Sequence, residues 1–174
     1  MSFIKKTLIL IILGFLIHIG FIYYFPYFKV WMISKNAEAL NNVNVAFYRD
    51  VPTANSREVV KPSPDLMYSG CGYDVTYDPL VIKTDIPNTY WSVSFFSSNS
   101  DNFATLNNDQ INEGNITIYL FGPDSKPSQI KDGYVVVSPS NRGLMLVRQF
   151  IGNRSNLDIL YETQSSLKCH PLSN

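Results

Sequence analysis

Lys61–Val75 reads KPSPDLMYSGCGYDV, and the fold turns on how this stretch is read. Pro62 and Pro64 stiffen its entry and bias the residues before them toward extended geometry. After Pro64 the apolar pattern changes from helical spacing to period two, which predicts a strand over Leu66–Val75. Asp65, Tyr68, Cys71, Tyr73 and Asp74 crowd into this one segment.

Downstream, turn residues recur about every eight to twelve positions, the punctuation of an all-β chain. Strands are expected at Leu80–Thr84, Tyr90–Phe96, Phe103–Leu106, Ile116–Phe121, Tyr134–Ser138 and Leu144–Ile151. Trp91, Val93 and Phe95 take one face of their strand, while Tyr90, Ser92, Ser94 and Phe96 take the other. Ser155 can cap a short closing helix with Leu157, Leu160, Tyr161 and Leu167 on one face, and Cys169 lies just past its end. The pattern predicts an antiparallel β-sandwich or jelly-roll-like domain over residues 61–174.

Upstream, Thr7–Phe25 (TLILIILGFLIHIGFIYYF) carries no formal charge and as a helix is long enough to cross a bilayer. Tyr23, Tyr24, Phe25, Tyr27 and Trp31 fit an aromatic belt at its far end. The apolar run is longer than that of a cleavable signal, and no small-x-small cleavage site follows, so residues 1–27 are expected to stay as an anchor. His18 fits as a tolerated polar residue within it. Residues 28–60 read as a juxtamembrane helix and an extended lead-in, with one strand at Val43–Tyr48.

The chain is neutral overall, but Lys5, Lys6, Lys29 and Lys35 precede residue 36 and all 14 acids follow it. The remainder therefore carries 10 bases against 14 acids, a net of −4, which makes it a poor partner for nucleic acid. The positive-inside count is nearly tied; the short N-terminal tail and the two cysteines favour a C-terminal domain outside, where a disulfide persists. Cys71 and Cys169 are expected to pair, against the readings of a free nucleophile or an inert buried thiol. Neither sits in a CxxC motif, which excludes a zinc ribbon or thioredoxin site.

Three segments, PSPDLMYSGCGYDV, PLVIKTDIPNTYWSVSFFSSNSDNF and SPSNRGLMLVRQF, resemble a bacterial family catalogued only as domain of unknown function 1254. The resemblance runs from Lys61 to Phe150 and takes in the N-terminal anchor and the terminal cysteine. It implies an antiparallel β fold. It also implies a sister module of equally unknown function, fused to or encoded beside this one in relatives. A chain with one module would meet the other as a partner protein.

The residues offer few routes to catalysis. His170 is the one histidine outside the anchor, and it reads as a solvated tail residue rather than the base of a Cys-His pair. Asp65 and Asp74 are nine residues apart, an odd offset that puts them on opposite strand faces. Asp65 is thus expected to shape the turn after Pro64, and Asp74 to accept from backbone or an arginine. Arg148 shares a face with Leu144, Leu146 and Phe150, and is expected to seek Asp74 or Asp65, unless it snorkels to water. Asn99, Asp101, Asn102, Asn107, Asn108 and Asp109 could offer oxygens to calcium but lack EF-hand spacing, so no metal or cofactor is expected. Tyr68, Tyr73, Trp91 and Tyr119 suit either a ligand groove or a sandwich core. The candidate ligand or partner contacts are Asp65, Tyr68, Tyr73, Asp74, Trp91, Asp101, Asn102, Arg142 and Arg148.

The function expected from this set is a non-enzymatic interaction or scaffold module on the outer side of a bacterial inner membrane, docking a sister-module protein. The alternatives are a small-ligand or glycan-binding module, and a cell-envelope hydrolase using Asp65 and Asp74.

Overall fold

Phe3–Ala39 forms one continuous helix, α1, in the computed structural model. The structure describes residues 2–56, 62–111, 114–125, 127, 130, 132–152 and 157–173. The expected anchor and juxtamembrane helix are thus a single element. It is long and apolar enough to cross a membrane, with a mean hydropathy of 2.4 in its most apolar window and none of that window buried in protein. Its end is specified locally. Asn41 adopts a left-handed φ of 53°, a conformation asparagine tolerates better than most residues. The Asn41 and Asn42 amides then donate to the Glu38 and Ala37 carbonyls, which satisfies two of the last helical acceptors.

Nine strands follow among the described residues. They are β1 (Ala46–Tyr48), β2 (Leu66–Asp74), β3 (Leu80–Asp85), β4 (Trp91–Phe96), β5 (Asn102–Asn107), β6 (Asn115–Phe121), β7 (Tyr134–Val137), β8 (Arg142–Phe150) and β9 (Lys168–Pro171). A short helix, α2 (Leu157–Ser165), precedes β9. The period-two segments became strands within a residue or two of their expected ends. β9 was not anticipated: its four residues carry no alternation, and it is held by pairing to β3. The proposed Ser155 cap lies outside the described residues.

The strands form two sheets, β1-β2-β8-β4-β5 (sheet A) and β7-β6-β3-β9 (sheet B). Their inner faces supply one core: Cys71, Tyr73, Trp91, Val93, Phe95, Met145 and Val147 from sheet A meet Leu80, Ile82, Ile116, Ile118 and Leu120 from sheet B. This is the expected sandwich, with one correction. β6 and β7 run parallel. The Gly122–Pro123 break opens a connection of residues 122–133, and a crossover of that length is what a parallel pair needs.

Gly143 shows how tightly the inner face is packed. A Cβ there would lie 2.3 Å from Tyr73 Oη and 2.2 Å from the Phe96 carbonyl oxygen. The missing side chain lets the Tyr73 ring cross β8 and donate to the Phe96 carbonyl at 3.0 Å, with Ser138 Oγ at 2.9 Å. Burial pushes the Tyr73 hydroxyl pKa up to about 12. Tyr73 and Trp91 are 2% and 0% exposed, so both are core and neither can meet a partner. That corrects their place among the candidate contacts.

The two cysteines are free thiols, not the expected disulfide. The fold nevertheless packs them into one core, Cys71 from β2 and Cys169 from β9 on the facing sheet, while the Cys71 thiol donates to the Gly72 carbonyl at 3.8 Å. Burial first, and then the Cys169 neighbour, push the Cys71 thiol well above its ordinary range. Folding supplies the proximity; the bond itself requires an oxidant. His170 lies next along β9, paired with Val81 rather than Ile82, so it points away from the thiols.

Candidate functional site

Three places on the molecule bring chemistry-bearing side chains together. The first joins α1 to sheet A. Arg142 Nε lies 2.7 Å from Asp74 Oδ2, and Arg142 Nη1 lies 2.8 Å from Glu38 Oε1 on α1. Lys35 adds a contact to Glu38 at 2.6 Å. Burial alone would raise the Asp74 carboxyl, but hydrogen bonds from Thr76 and the Arg142 charge outweigh it and hold its pKa below the usual value. Beside this chain of charges, Asn44 takes a left-handed φ of 59°. Its amide nitrogen donates to the Asp74 carbonyl and its oxygen accepts from the Asp74 amide, both at 2.8 Å. Ala37 packs over Gly72, and Val30 is 8% exposed. Asp74 and Arg142 are therefore a helix clamp. The sequence offered Asp74 an arginine; Arg142 is the one it takes.

The second place lies at the other end of sheet A. Every buried polar side-chain atom without a partner among the described residues falls on two adjacent rungs of the β4–β8 ladder. One rung pairs Trp91 with Gln149 on the inner face. The Trp91 indole nitrogen and both Gln149 amide atoms are unpartnered there. The next rung pairs Ser92 with Arg148 on the outer face, where Ser92 Oγ and Arg148 Nε are unpartnered. Leaving a buried polar group unpaired costs about 1–3 kcal/mol, so such a concentration requires a reason.

Arg148 does not pair with Asp65 or Asp74, contrary to expectation. Asp74 faces Arg142 across the strand pair, whereas Arg148 faces Tyr68. Six residues separate Arg142 from Arg148, about 20 Å along an extended strand. Asp65 precedes β2 and shapes its entry: its amide donates to Ser63 Oγ and its carbonyl accepts from Ile151. Arg148 contacts no carboxylate among the described residues. It lies half-buried along the outer face and donates from Nη2 to Ser94 Oγ at 3.1 Å.

The third place adjoins the second. Tyr48, Arg49, Asp50, Val51, Pro52, Thr53, Asn55, Ser56, Pro62 and Tyr68 line a half-open groove of about 410 Å³. Tyr68 belongs to both places, because its register partner is Arg148. The Tyr68 hydroxyl accepts from the Ser63 amide at 2.9 Å, which leaves its hydrogen free to donate.

Asp65 and Asp74 sit at opposite ends of a nine-residue strand, about 30 Å apart when extended, so they form no acid–base pair. Asp101 accepts from Asn99 Nδ2, and Asn102 Oδ1 accepts from the Thr105 hydroxyl, so these two shape the β4–β5 turn. No group of three or more metal-ligating side chains gathers among the described residues. Sequence reasoning passed over Ser92, Gln149, Asn44 and Glu38. The signal for the first two was a polar residue within an otherwise well-patterned strand.

The model of the family described as protein of unknown function (DUF1254) matches residues 43–171. The chain belongs to this family. The matched region of this DUF1254 chain starts beyond α1 and includes all nine strands. Among solved structures, the VPA0106 protein from Vibrio parahaemolyticus is similar over 88% of this chain and 37% of its own, with a TM-score of 0.68 and 13% identity. An uncharacterised protein from Burkholderia cenocepacia is similar over 66% of this chain and 33% of its own, with a TM-score of 0.50 and 17% identity. These likenesses concern the fold, and the DUF1254 chain spans about a third of the length of either structure. No curated protein matches it.

Proposed function

We propose that this chain is a membrane-anchored, non-enzymatic interaction module that holds a partner protein against the outer face of sheet A. The observation that carries the reading is the composition of that face. Phe47, Leu144, Leu146 and Phe150 remain partly exposed there, around an arginine that contacts no acid among the described residues. An apolar surface set about one unpaired charge is the make-up of a docking patch. The length of the solved relatives adds support, since each has about twice as much chain again with which a second module could be built. In this reading α1 spans the inner membrane of a bacterium, the sandwich stands on the periplasmic side, and the partner is a protein of the sister-module family.

The test places a photo-crosslinking residue at Leu146 on sheet A or at Val135 on the outer face of sheet B, in the full chain in its own membrane. A discrete adduct from Leu146 and none from Val135 is expected. Adducts from Val135 alone would overturn the reading. For orientation, a C-terminal alkaline phosphatase fusion should be active and a green fluorescent fusion dark.

The groove beside Tyr68 favours a second reading, a small-ligand or glycan-binding module. Its volume of about 410 Å³ falls within the range of ligand sites, and two tyrosines line it. The hydrolase alternative finds no support, because Asp65 and Asp74 do not meet.

A further inference from the structure

We propose that the Arg148–Ser92 rung is a carboxylate-binding site, with the adjoining Tyr68 groove taking the body of the ligand. This rests on the reading that the outer face of sheet A meets a partner, and it names the group that the face recognises.

The argument begins with donors that have no acceptor. Arg148 Nε and Ser92 Oγ are unpartnered side by side on one rung, and Ser92 is 1% exposed. Tyr68, across the strand from Arg148, keeps a hydrogen to donate. A guanidinium edge presents two parallel N–H groups, the spacing that a planar carboxylate accepts bidentately. Among the described residues, a neutral hydrogen bond to Ser94 is what holds Arg148 down on the sheet. A small swing of its side chain exposes Ser92 Oγ and turns Nε outward, so both unpartnered groups gain an acceptor at once.

Charge selects the class of anion. The rung offers one fixed positive charge, from Arg148, and in the groove beside it the charges of Arg49 and Asp50 offset one another. The residues from 36 onward carry four more acids than bases. That balance suits a monoanion and disfavours a phosphate dianion, which generally needs more cations or a cradle of backbone amides. The groove next to Tyr68 and Tyr48 has room for an apolar or aromatic body attached to the carboxylate. Such a ligand comes either as a free organic acid or as the acidic group of a docked protein.

The experiment uses the full chain in detergent micelles and two probes that differ in charge alone, N-acetylphenylalanine and its amide. Saturable calorimetric binding of the acid, at least tenfold tighter than the amide, is expected. Arg148→Met should abolish that preference and Ser92→Ala should weaken the acid several-fold, while Arg142→Gln leaves binding unchanged. Arg148→Lys keeps the charge without the fork and should retain only part of the preference, so a poorly folded methionine variant does not decide the matter. Equal binding of acid and amide, no saturation by the acid, or tighter binding of inorganic phosphate would overturn the proposal. The crosslinks from Leu146 separate the two sources. Acid binding with crosslinks points to a docked protein's carboxylate. Acid binding without them leaves a free organic acid as the ligand and removes the docking reading. Crosslinks without acid binding remove the carboxylate site and leave the docking reading in place.

Discussion

Gln149 and Trp91 share an inner rung whose three polar side-chain atoms lack partners, while both residues are at most 1% exposed. An amide in that position contributes desolvation cost and little else. Gln149→Met, close in volume and apolar, should therefore raise stability by about 1 kcal/mol rather than lower it. Thermal unfolding of the full chain in detergent, followed by near-ultraviolet circular dichroism, checks this. A loss of more than 1 kcal/mol would mean that the amide has work the fold does not reveal. Ser92 shows why this region was hard to read. In YWSVSFF, Ser92 and Ser94 look like the outward half of an amphipathic strand, and their position on the outer face was legible. Their burial was not, because it depends on Arg148 lying across them, a contact between residues 54 and 56 positions apart.

At the scale of elements, the junction of α1 with β2 depends on Asn44. This asparagine both adopts a left-handed φ and extends the ladder by bonding the Asp74 backbone twice. Asn44→Gly keeps the backbone geometry and loses the two bonds; Asn44→Ala loses both advantages. The glycine variant should cost about 1–2 kcal/mol and the alanine variant about 1 kcal/mol more. Equal costs would show that the φ angle is not strained. Asp74 adds a pH dependence to the same junction. Its folded-state pKa lies below the ordinary 3.8, so its stabilisation is complete above that value and is lost as pH falls through the lower folded value. The difference in melting temperature between wild type and Asp74→Asn should be constant from pH 7 to about pH 5 and shrink below about pH 4. A difference that grows on acidification would contradict the clamp. The strands themselves were legible because alternation is local. β9 and the parallel β6–β7 pair were not, because both depend on which distant strand stands alongside. The Asp74–Arg142 bond was half-legible: Asp74 announced a need for an arginine, and register chose between two.

For the whole molecule, the facing thiols are the feature that couples the two sheets. Oxidation by an external disulfide would bond Cys71 to Cys169, with two electrons and two protons passing to the oxidant. Cys169 is half-buried and Cys71 buried, so Cys169 is the sulfur an oxidant reaches first. The closed loop of about 100 residues would stabilise the fold by about 4–5 kcal/mol in the chain-entropy model. Non-reducing gels after alkylation of freshly isolated protein check this; two alkylated thiols would place the domain in a reducing compartment. Sequence alone put these cysteines in one framework without showing why they meet. The reason is tertiary: β9 returns to the edge of sheet B beside β3, opposite β2.

In the proposed function, the junction of α1 with sheet A also bears on how a partner would be found. α1 measures about 55 Å, and in the proposed function a bilayer core would take about 30 Å of it. The remaining turns are fastened to the sandwich through Val30, Ala37, Glu38 and Asn44's neighbours rather than joined to it by a loose tether. A domain anchored in that way would spin about its stalk without tumbling, and its height above the lipid would vary little. A second protein rooted in the same bilayer would search a plane rather than a volume, at an effective concentration set by that fixed height. Contacts too weak to be seen between soluble fragments would then be sufficient in place.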